Sequence, residues 1–183
     1  MMNELTTIRN SFVAFIDGLW WGLRDNVGAL SMYEGYANGF KQIGREMAKQ
    51  SDGNGAEGAA QAASTLMGSL GLEAESDGIE VIVKECPFWN RILEEGLEYS
   101  FHIEEICWMP LLEGIGEQFG VRPMMKSSLR LNHVARGKNE YKKSKASKAL
   151  KAGKISKDEY QTTIDELDSE IEKIPEFGRY QYK

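Results

Sequence analysis

The spacing of hydrophobic residues changes twice along this chain, and these changes restrict the possible folds more than any other feature. Up to about residue 70, apolar side chains recur at steps of three and four, which predicts helices over residues 4–24, 30–50 and 56–70. Around Asp77-Gly78 the spacing shortens to two, and Asp-Gly between such runs is typical of a β-hairpin. Helical spacing returns after Pro87. This order predicts an α+β fold, with helices packed on a small antiparallel sheet.

The chain has 183 residues, 42% of them hydrophobic, which suits one main domain with an appendage. Charged residues such as Arg9, Asp17 and Arg24 interrupt the apolar runs. We therefore expect no signal peptide, no membrane span and a cytoplasmic location. In a reducing compartment the two cysteines, Cys86 and Cys107, are expected to be free thiols.

Two glycines, Gly35 and Gly39, stand four residues apart in the second predicted helix. Each costs about 1 kcal/mol of helix stability relative to alanine. Close approach of another element would account for them, and so would a ligand lying against the bare backbone.

Prolines divide the part of the chain that follows the hairpin. Pro87 ends the second strand, and a longer helix is predicted over residues 101–118, with a kink at Pro110. A further strand is predicted from Pro123. In that strand His133 lies on the same face as two leucines, Leu129 and Leu131, and points towards the core.

The C-terminal region is rich in lysine. Nine basic residues and one acidic residue lie between Arg136 and Lys157, a local charge of +8, so the rest of the chain carries −14. Tyr141 is the only aromatic ring among these lysines, which gives no stacking platform for single-stranded nucleic acid. We expect no nucleic-acid partner and instead expect the lysine-rich region to dock on an acidic partner, which includes the chain's own acidic body.

A capping box, Ser156-Lys157-Asp158-Glu159, predicts the start of a last helix after the lysine-rich one. Its apolar residues follow steps of four and three, as in a coiled coil. These seam residues are Tyr160, Ile164, Leu167, Ile171 and Ile174. The seam can pack on the preceding helix, on the main domain or on a second subunit. We predict a ligand-binding domain over residues 1–137 and a helical-hairpin tail over 138–183, through which the protein forms a homo-oligomer or joins a larger complex.

Candidate functional residues surround the two cysteines. One interpretation is an apolar pocket between the sheet and the aromatic-rich helices, with Cys86, Cys107 and His133 near its polar end. Its walls would be Tyr33, Tyr36, Phe40, Trp89 and Trp108. The alternative is that these aromatic residues form ordinary core and that both cysteines are buried small hydrophobes.

Two chemical interpretations also remain open. Cys86, Cys107 and His133, with His102 as a further donor, have the ligand types of a zinc site, and Cys86-Pro87 can present a thiolate to haem. Alternatively, a cysteine nucleophile with a histidine base would give a hydrolase. The sequence does not single out an acid or an oxyanion hole for such an enzyme.

Several motifs carry a resemblance to known families. They are the glycine helix Tyr33-Glu34-Gly35-Tyr36-Ala37-Asn38-Gly39, the strand end Glu85-Cys86-Pro87, and Cys107 followed by Glu113-Gly114. The stretch from about Leu30 to Tyr141 resembles the 4-vinyl reductase family of small-molecule-binding proteins, whose archaeal members are described as hydrocarbon-binding. From Cys86 onwards it is also similar to proteins like L-2-amino-thiazoline-4-carboxylic acid hydrolase.

Both families usually place a further cysteine in a last hairpin, and residues 132–138 contain none. A three-cysteine set is therefore absent, and His133 is the candidate substitute. The tail, from Leu150 to Leu167, resembles SHOCT-type oligomerisation hairpins. The resemblance implies a protein that binds a small apolar molecule as a sensor, carrier or accessory subunit. The alternative is a Cys/His-dependent or metal-dependent hydrolase.

Overall fold

The computed structural model describes residues 3–95 and 103–183 of the chain. The structure is 71% helical, and its strands form a small antiparallel sheet, which confirms the predicted α+β class. In chain order the elements are α1 (Glu4–Val27), α2 (Ala29–Ala48), α3 (Gly55–Ser69), β1 (Glu73–Asp77), β2 (Glu80–Glu85), α4 (Pro87–Glu95), a π-helical turn (Glu104–Trp108), α5 (Met109–Phe119), β3 (Pro123–Ser127), α6 (Leu129–Lys151), α7 (Lys157–Glu172) and β4 (Gly178–Tyr182).

Contacts between residues divide the chain into two units. The first comprises Met1–Lys126 with Arg179–Lys183, and the second comprises Ser127–Gly178. Most of the predicted tail, residues 138–183, thus belongs to the second unit, but its last five residues belong to the first. None of the helices among the described residues combines the length and the apolar character needed to cross a bilayer.

Helices α2 and α5 make the most extensive contact in the first unit. They cross where Gly44 meets the backbone of Leu111 and where Gly114 meets the backbone of Lys41, with no room for a side chain at either glycine. Ion pairs flank the crossing, and Lys41 Nζ lies 3.3 Å from Glu113 Oε2. The two glycines therefore set how closely these helices approach.

The Asp-Gly signal correctly predicts the hairpin. β1 and β2 are antiparallel, with Asp77 opposite Glu80, and Gly78 adopts a φ of +55° in the turn. Helix α3 packs on both strands. Its small residues bring the helix close to the sheet, and Val81 and Val83 of β2 are buried beneath it.

Pro110 alters its helix as expected, but the change is a local widening of the helical turn. The residues before it form a π-helical turn, in which the N–H of Met109 bonds to the carbonyl of Glu104, five residues earlier. Proline has no N–H for the carbonyl of Ile106, and its ring clashes with that carbonyl in a regular α-helix. The wider turn relieves this clash and contains Cys107. The start of the predicted helix, at residues 101 and 102, lies outside the described residues.

The prediction of a strand containing His133 is wrong. β3 ends at Ser127, and helix α6 begins at Leu129, where the side chain of Ser128 accepts a hydrogen bond from the N–H of Leu131 at 3.1 Å. This N-cap starts the helix within the stretch predicted to be a strand. His133 is therefore helical and exposed, not directed to the core.

The second unit contains a helical hairpin, as predicted, made by α6 and α7. The capping box is present: Ser156 Oγ accepts from the N–H of Glu159, whose carboxylate accepts from the N–H of Ser156. The seam of α7 had three possible packing partners, and the structure shows one of them, the preceding helix α6. Leu167 of the seam is buried. Lys143 Nζ pairs with Asp168 Oδ1 at 2.5 Å across the hairpin, so acidic residues of the chain itself meet the lysine-rich helix.

Strand β4 was not predicted from the sequence. It lies between β2 and β3 in the sheet order β1-β2-β4-β3, and the N–H of Tyr182 bonds to the carbonyl of Ile79 at 3.0 Å. Its alternate residues Gly178, Tyr180 and Tyr182 are buried. The alternation in Gly-Arg-Tyr-Gln-Tyr is typical of a strand, but it follows a segment with helical spacing and was not recognised as one.

Candidate functional site

Cys86 occupies the junction between strand β2 and helix α4. β2 ends at Glu85, and Pro87 opens α4, whose first internal hydrogen bond joins the N–H of Asn90 to the carbonyl of Cys86 at 2.9 Å. Proline suits this first helical position because its missing N–H would have had no partner there. The thiol is 2% exposed, and the backbone N–H groups of Trp89 and Phe88 donate towards the sulfur. Cys86 thus acts as an N-cap with sulfur as acceptor.

The second thiol, Cys107, is fully buried in the π-helical turn. Burial is the main reason that its pKa lies well above the usual value of 9.0, and the nearby Cys86 and Glu104 raise it further. Burial also raises the pKa of Cys86 to about 12, despite the opposing hydrogen bonds from α4 and from the Trp108 side chain. Both thiols are therefore protonated at neutral pH, and thiols in this form are weak nucleophiles and weak metal ligands.

We expect both thiols to react very slowly in the folded protein. A pKa of about 12 in place of 9.0 for Cys86 lowers its thiolate fraction at pH 8 roughly a thousandfold, and burial further restricts access by the reagent. Ellman's reagent should therefore label neither cysteine within the time in which free cysteine reacts completely. In denaturant the same protein should react at once with two equivalents of the reagent, one for each cysteine. Rapid labelling of either residue in the native protein would contradict the buried geometry.

Of three further predicted wall residues, Trp89 and Trp108 are buried in the core and Tyr33 is half-buried. Trp108 meets Phe40 edge to face, with centroids 5.6 Å apart, and Tyr33 stacks on Trp20 at 5.6 Å. Trp89 is 6% exposed. Edge-to-face pairs of this kind stabilise a core beyond simple burial of area.

The other two predicted wall residues, Tyr36 and Phe40, line a groove between α1 and α2. The groove has a volume of about 290 Å³. Tyr36 donates its hydroxyl to the carbonyl of Ile16 at 2.6 Å, so its polar end is satisfied and its ring contributes an apolar surface. The lining is almost wholly apolar and consists of Ile16, Leu19, Leu23, Gly35, Tyr36, Gly39, Phe40 and Ile43.

Gly35 and Gly39 form part of the groove wall. A Cβ at either position would meet no described atom within 4 Å, so helix packing does not require these glycines. The packing role belongs to Gly44 and Gly114. The sequence left two explanations open for Gly35 and Gly39. The structure excludes close packing against the described residues, and the other explanation is a ligand that lies against the bare backbone.

The predicted metal ligands do not form a set. Among residues 3–95 and 103–183, no three His, Cys, Asp or Glu side chains are placed to hold a metal ion. Cys86 is close enough to raise the pKa of Cys107, whereas His133 is exposed on α6. His102 lies outside the described residues. The donors present therefore do not fit a zinc site built on Cys86, Cys107 and His133, and nothing in the described geometry specifies haem.

One ion pair with a buried acid, next to Ile16 of the groove, was missed by sequence reasoning. Asp17 is 9% exposed, and its Oδ2 lies 2.7 Å from Arg91 Nη2 of α4. Asp17 also contributes to the raised pKa of Tyr36, after burial and Cys107. The signal in the sequence was an acid between Ile16 and Trp20 on the buried stripe of α1, where a charge requires a partner.

Comparison with protein-family models, with characterised proteins and with solved structures gives no match to this chain. The resemblance to 4-vinyl reductase and hydrolase-like proteins therefore stays a prediction.

Proposed function

We propose that this chain binds a small apolar molecule in the groove between α1 and α2, and acts as a sensor, carrier or accessory subunit. The observation that carries the proposal is the pair of helical glycines, Gly35 and Gly39, whose bare backbone lines an apolar groove instead of a helix crossing. Each glycine costs about 1 kcal/mol of helix stability. A ligand that needs this space gives a reason for that cost.

The size and chemistry of the groove support this proposal. Its volume of about 290 Å³ is near the lower end of the range for sites that bind small molecules. The hydroxyl of Tyr36 is already bonded to Ile16, and none of the described residues that line the groove is charged. Such a lining favours an uncharged apolar ligand over a polar one. The resemblance of residues 33–39 to the glycine helix of a hydrocarbon-binding family points the same way.

The hydrolase alternative has less support. Both candidate nucleophiles are buried with raised pKa values, and the candidate base His133 is exposed on a helix. A cysteine nucleophile requires a lowered pKa or an adjacent base. We therefore do not propose a catalytic role.

Filling the groove should weaken ligand binding without loss of stability. Gly39→Leu introduces a side chain into space that no described atom occupies, so the fold is retained while the ligand is displaced. We expect binding of the uncharged fluorophore N-phenyl-1-naphthylamine to weaken at least tenfold, as measured by fluorescence titration. Gly35→Leu should have the same effect.

The matched control is Gly137→Leu, a helical glycine in the second unit that is also without a described atom within 4 Å of its Cβ position. It should bind the probe as the wild-type chain does. Equal affinity of the Gly39→Leu and wild-type chains would contradict the proposal. So would absence of probe binding to the wild-type protein.

A further inference from the structure

Helix α1 carries two apolar stripes, and only one of them faces the core. Val13, Ile16 and Trp20 are buried. A second stripe follows steps of three, four, three and four along the helix. It consists of Leu5, Ile8, Phe12, Phe15 and Leu19, and all of these except the half-buried Phe12 are exposed.

The exposure of this stripe is large for helical apolar residues. Phe15 is 63% exposed, Ile8 59%, Leu5 47% and Leu19 37%, together about two whole side chains. An exposed apolar patch of this kind is typical of an interaction site. Steps of three and four are the spacing with which one helix packs along another.

We propose that the exposed α1 stripe is the interface of a homodimer, in which α1 of a second copy packs antiparallel against it. One register places Leu5 opposite Gly22 of the second copy, Ile8 opposite Leu19, and Phe12 opposite Phe15. In this register Leu5 meets a glycine, and the remaining apolar residues of the stripe meet apolar residues of the second copy. Because the same patch serves both copies, the interface closes on itself as a twofold dimer.

Helix dipoles and backbone geometry suit this arrangement. The antiparallel orientation aligns the dipoles of the two α1 helices favourably. A Cβ at Gly18 or Gly22 would have no neighbour within 4 Å in the part of the chain that the structure describes. These glycines allow a second helix to approach closely.

The available area fits a modest dimer. Two exposed side chains' worth of apolar surface is roughly 350 Å² for each copy. Homodimer interfaces are about 65% apolar. The whole interface is then on the order of 1,100 Å², close to the smallest area of a specific complex. We therefore expect a dimer that dissociates on dilution and not a permanent one.

The test measures the oligomeric state of the full chain by sedimentation velocity over a range of concentrations. The wild-type chain should be dimeric at high concentration, and Phe15→Glu should raise the dissociation constant at least a hundredfold. Ile8→Glu, at a position almost as exposed, should do the same, and tryptophan fluorescence checks that both variants are folded. The matched control Leu131→Glu, at a residue on α6 that is 40% exposed, should leave the dimer intact.

Cysteine cross-linking tests the antiparallel register. The double variant Ile8→Cys with Leu19→Cys should form disulfide-linked dimers under mild oxidation, whereas Ile8→Cys alone should not. Three results would overturn the proposal: a wild-type chain that stays monomeric, a dimer that Phe15→Glu and Ile8→Glu leave unchanged, or loss of the dimer only in Leu131→Glu. The last result would place self-association in the helical hairpin. Because the readout is molecular mass, failure here leaves the proposed ligand groove untouched.

Discussion

Replacing Gly44 or Gly114 with alanine should destabilise the first unit by about 3 kcal/mol, near the upper end for overpacking a core. A Cβ at Gly44 would overlap the carbonyl oxygen of Leu111, and a Cβ at Gly114 would overlap that of Lys41. These neighbours are backbone atoms, which cannot rotate away as a side chain can. The only relief is to separate α2 from α5, which would expose the most extensive helix contact of this unit.

Urea unfolding followed by tryptophan fluorescence measures this effect, since Trp20, Trp21, Trp89 and Trp108, the four tryptophans of the chain, all belong to the first unit. Gly35→Ala serves as the matched control on α2. Its Cβ meets no described atom within 4 Å, so it should instead gain up to about 1 kcal/mol from helix propensity. A Gly44→Ala chain as stable as the Gly35→Ala chain would show that the two helices do not cross as described.

The first unit should lose stability steeply above pH 9. Burial raises the pKa of Cys86 from 9.0 to about 12 and that of Cys107 well above 9.0. Burial also raises the pKa of Tyr36 and Tyr182 above 10.0. Each of these groups keeps its proton in the folded state at a pH where the unfolded chain has released it. The unfolded state then binds fewer protons, so the free energy of unfolding falls as pH rises.

The expected size follows from the number of groups. Each contributes about 1.4 kcal/mol per pH unit between its unfolded and folded pKa. The two thiols together should remove about 2 kcal/mol between pH 9 and 10, and the two tyrosines steepen the loss above pH 10. Below about pH 8 these four groups should leave the stability almost unchanged.

Urea unfolding at intervals from pH 8 to pH 11 measures this slope. Tyr182→Phe is the informative variant, because it removes one titrating group. The variant should be less stable at pH 8, since the carbonyl of Leu112 loses its 3.0 Å bond from the tyrosine hydroxyl. Its slope above pH 10 should nevertheless be shallower by about 1.4 kcal/mol per pH unit. A free energy of unfolding that stays constant to pH 10.5 would mean that the thiols and phenols are not buried in this way.

The two functional proposals concern neighbouring surfaces that share Leu19, and they can be separated. The groove variants Gly35→Leu and Gly39→Leu lie on α2, whereas the dimer variants Phe15→Glu and Ile8→Glu lie on the outer stripe of α1. Measuring probe affinity and molecular mass on all four shows whether occupancy of the groove depends on the second copy.

Local sequence determined the features whose causes are local. The Asp77-Gly78 hairpin follows from turn chemistry, and the start of α7 follows from the Ser156 and Glu159 capping box. In both cases the deciding hydrogen bonds and dihedral angles lie within four residues, so the pattern and its cause are read together.

The same local reasoning failed at His133. The alternation of Leu129, Leu131 and His133 suggested a strand, but Ser128 caps a helix there. A serine before an ambiguous apolar pattern does not by itself decide between a helix and a strand. The pairing of β4 with β2 joins residues about a hundred positions apart, beyond any local signal.

The site itself shows the same division. The sequence identified Cys86, Cys107, Gly35 and Gly39 as unusual, because cysteine and helical glycine stand out by residue type alone. Only the tertiary structure decided what they do: it buried both thiols, opened the two glycines to a groove, and gave the crossing role to Gly44. Burial and helix contact depend on which surfaces meet, and a one-dimensional pattern shows the surface of each helix without showing what covers it.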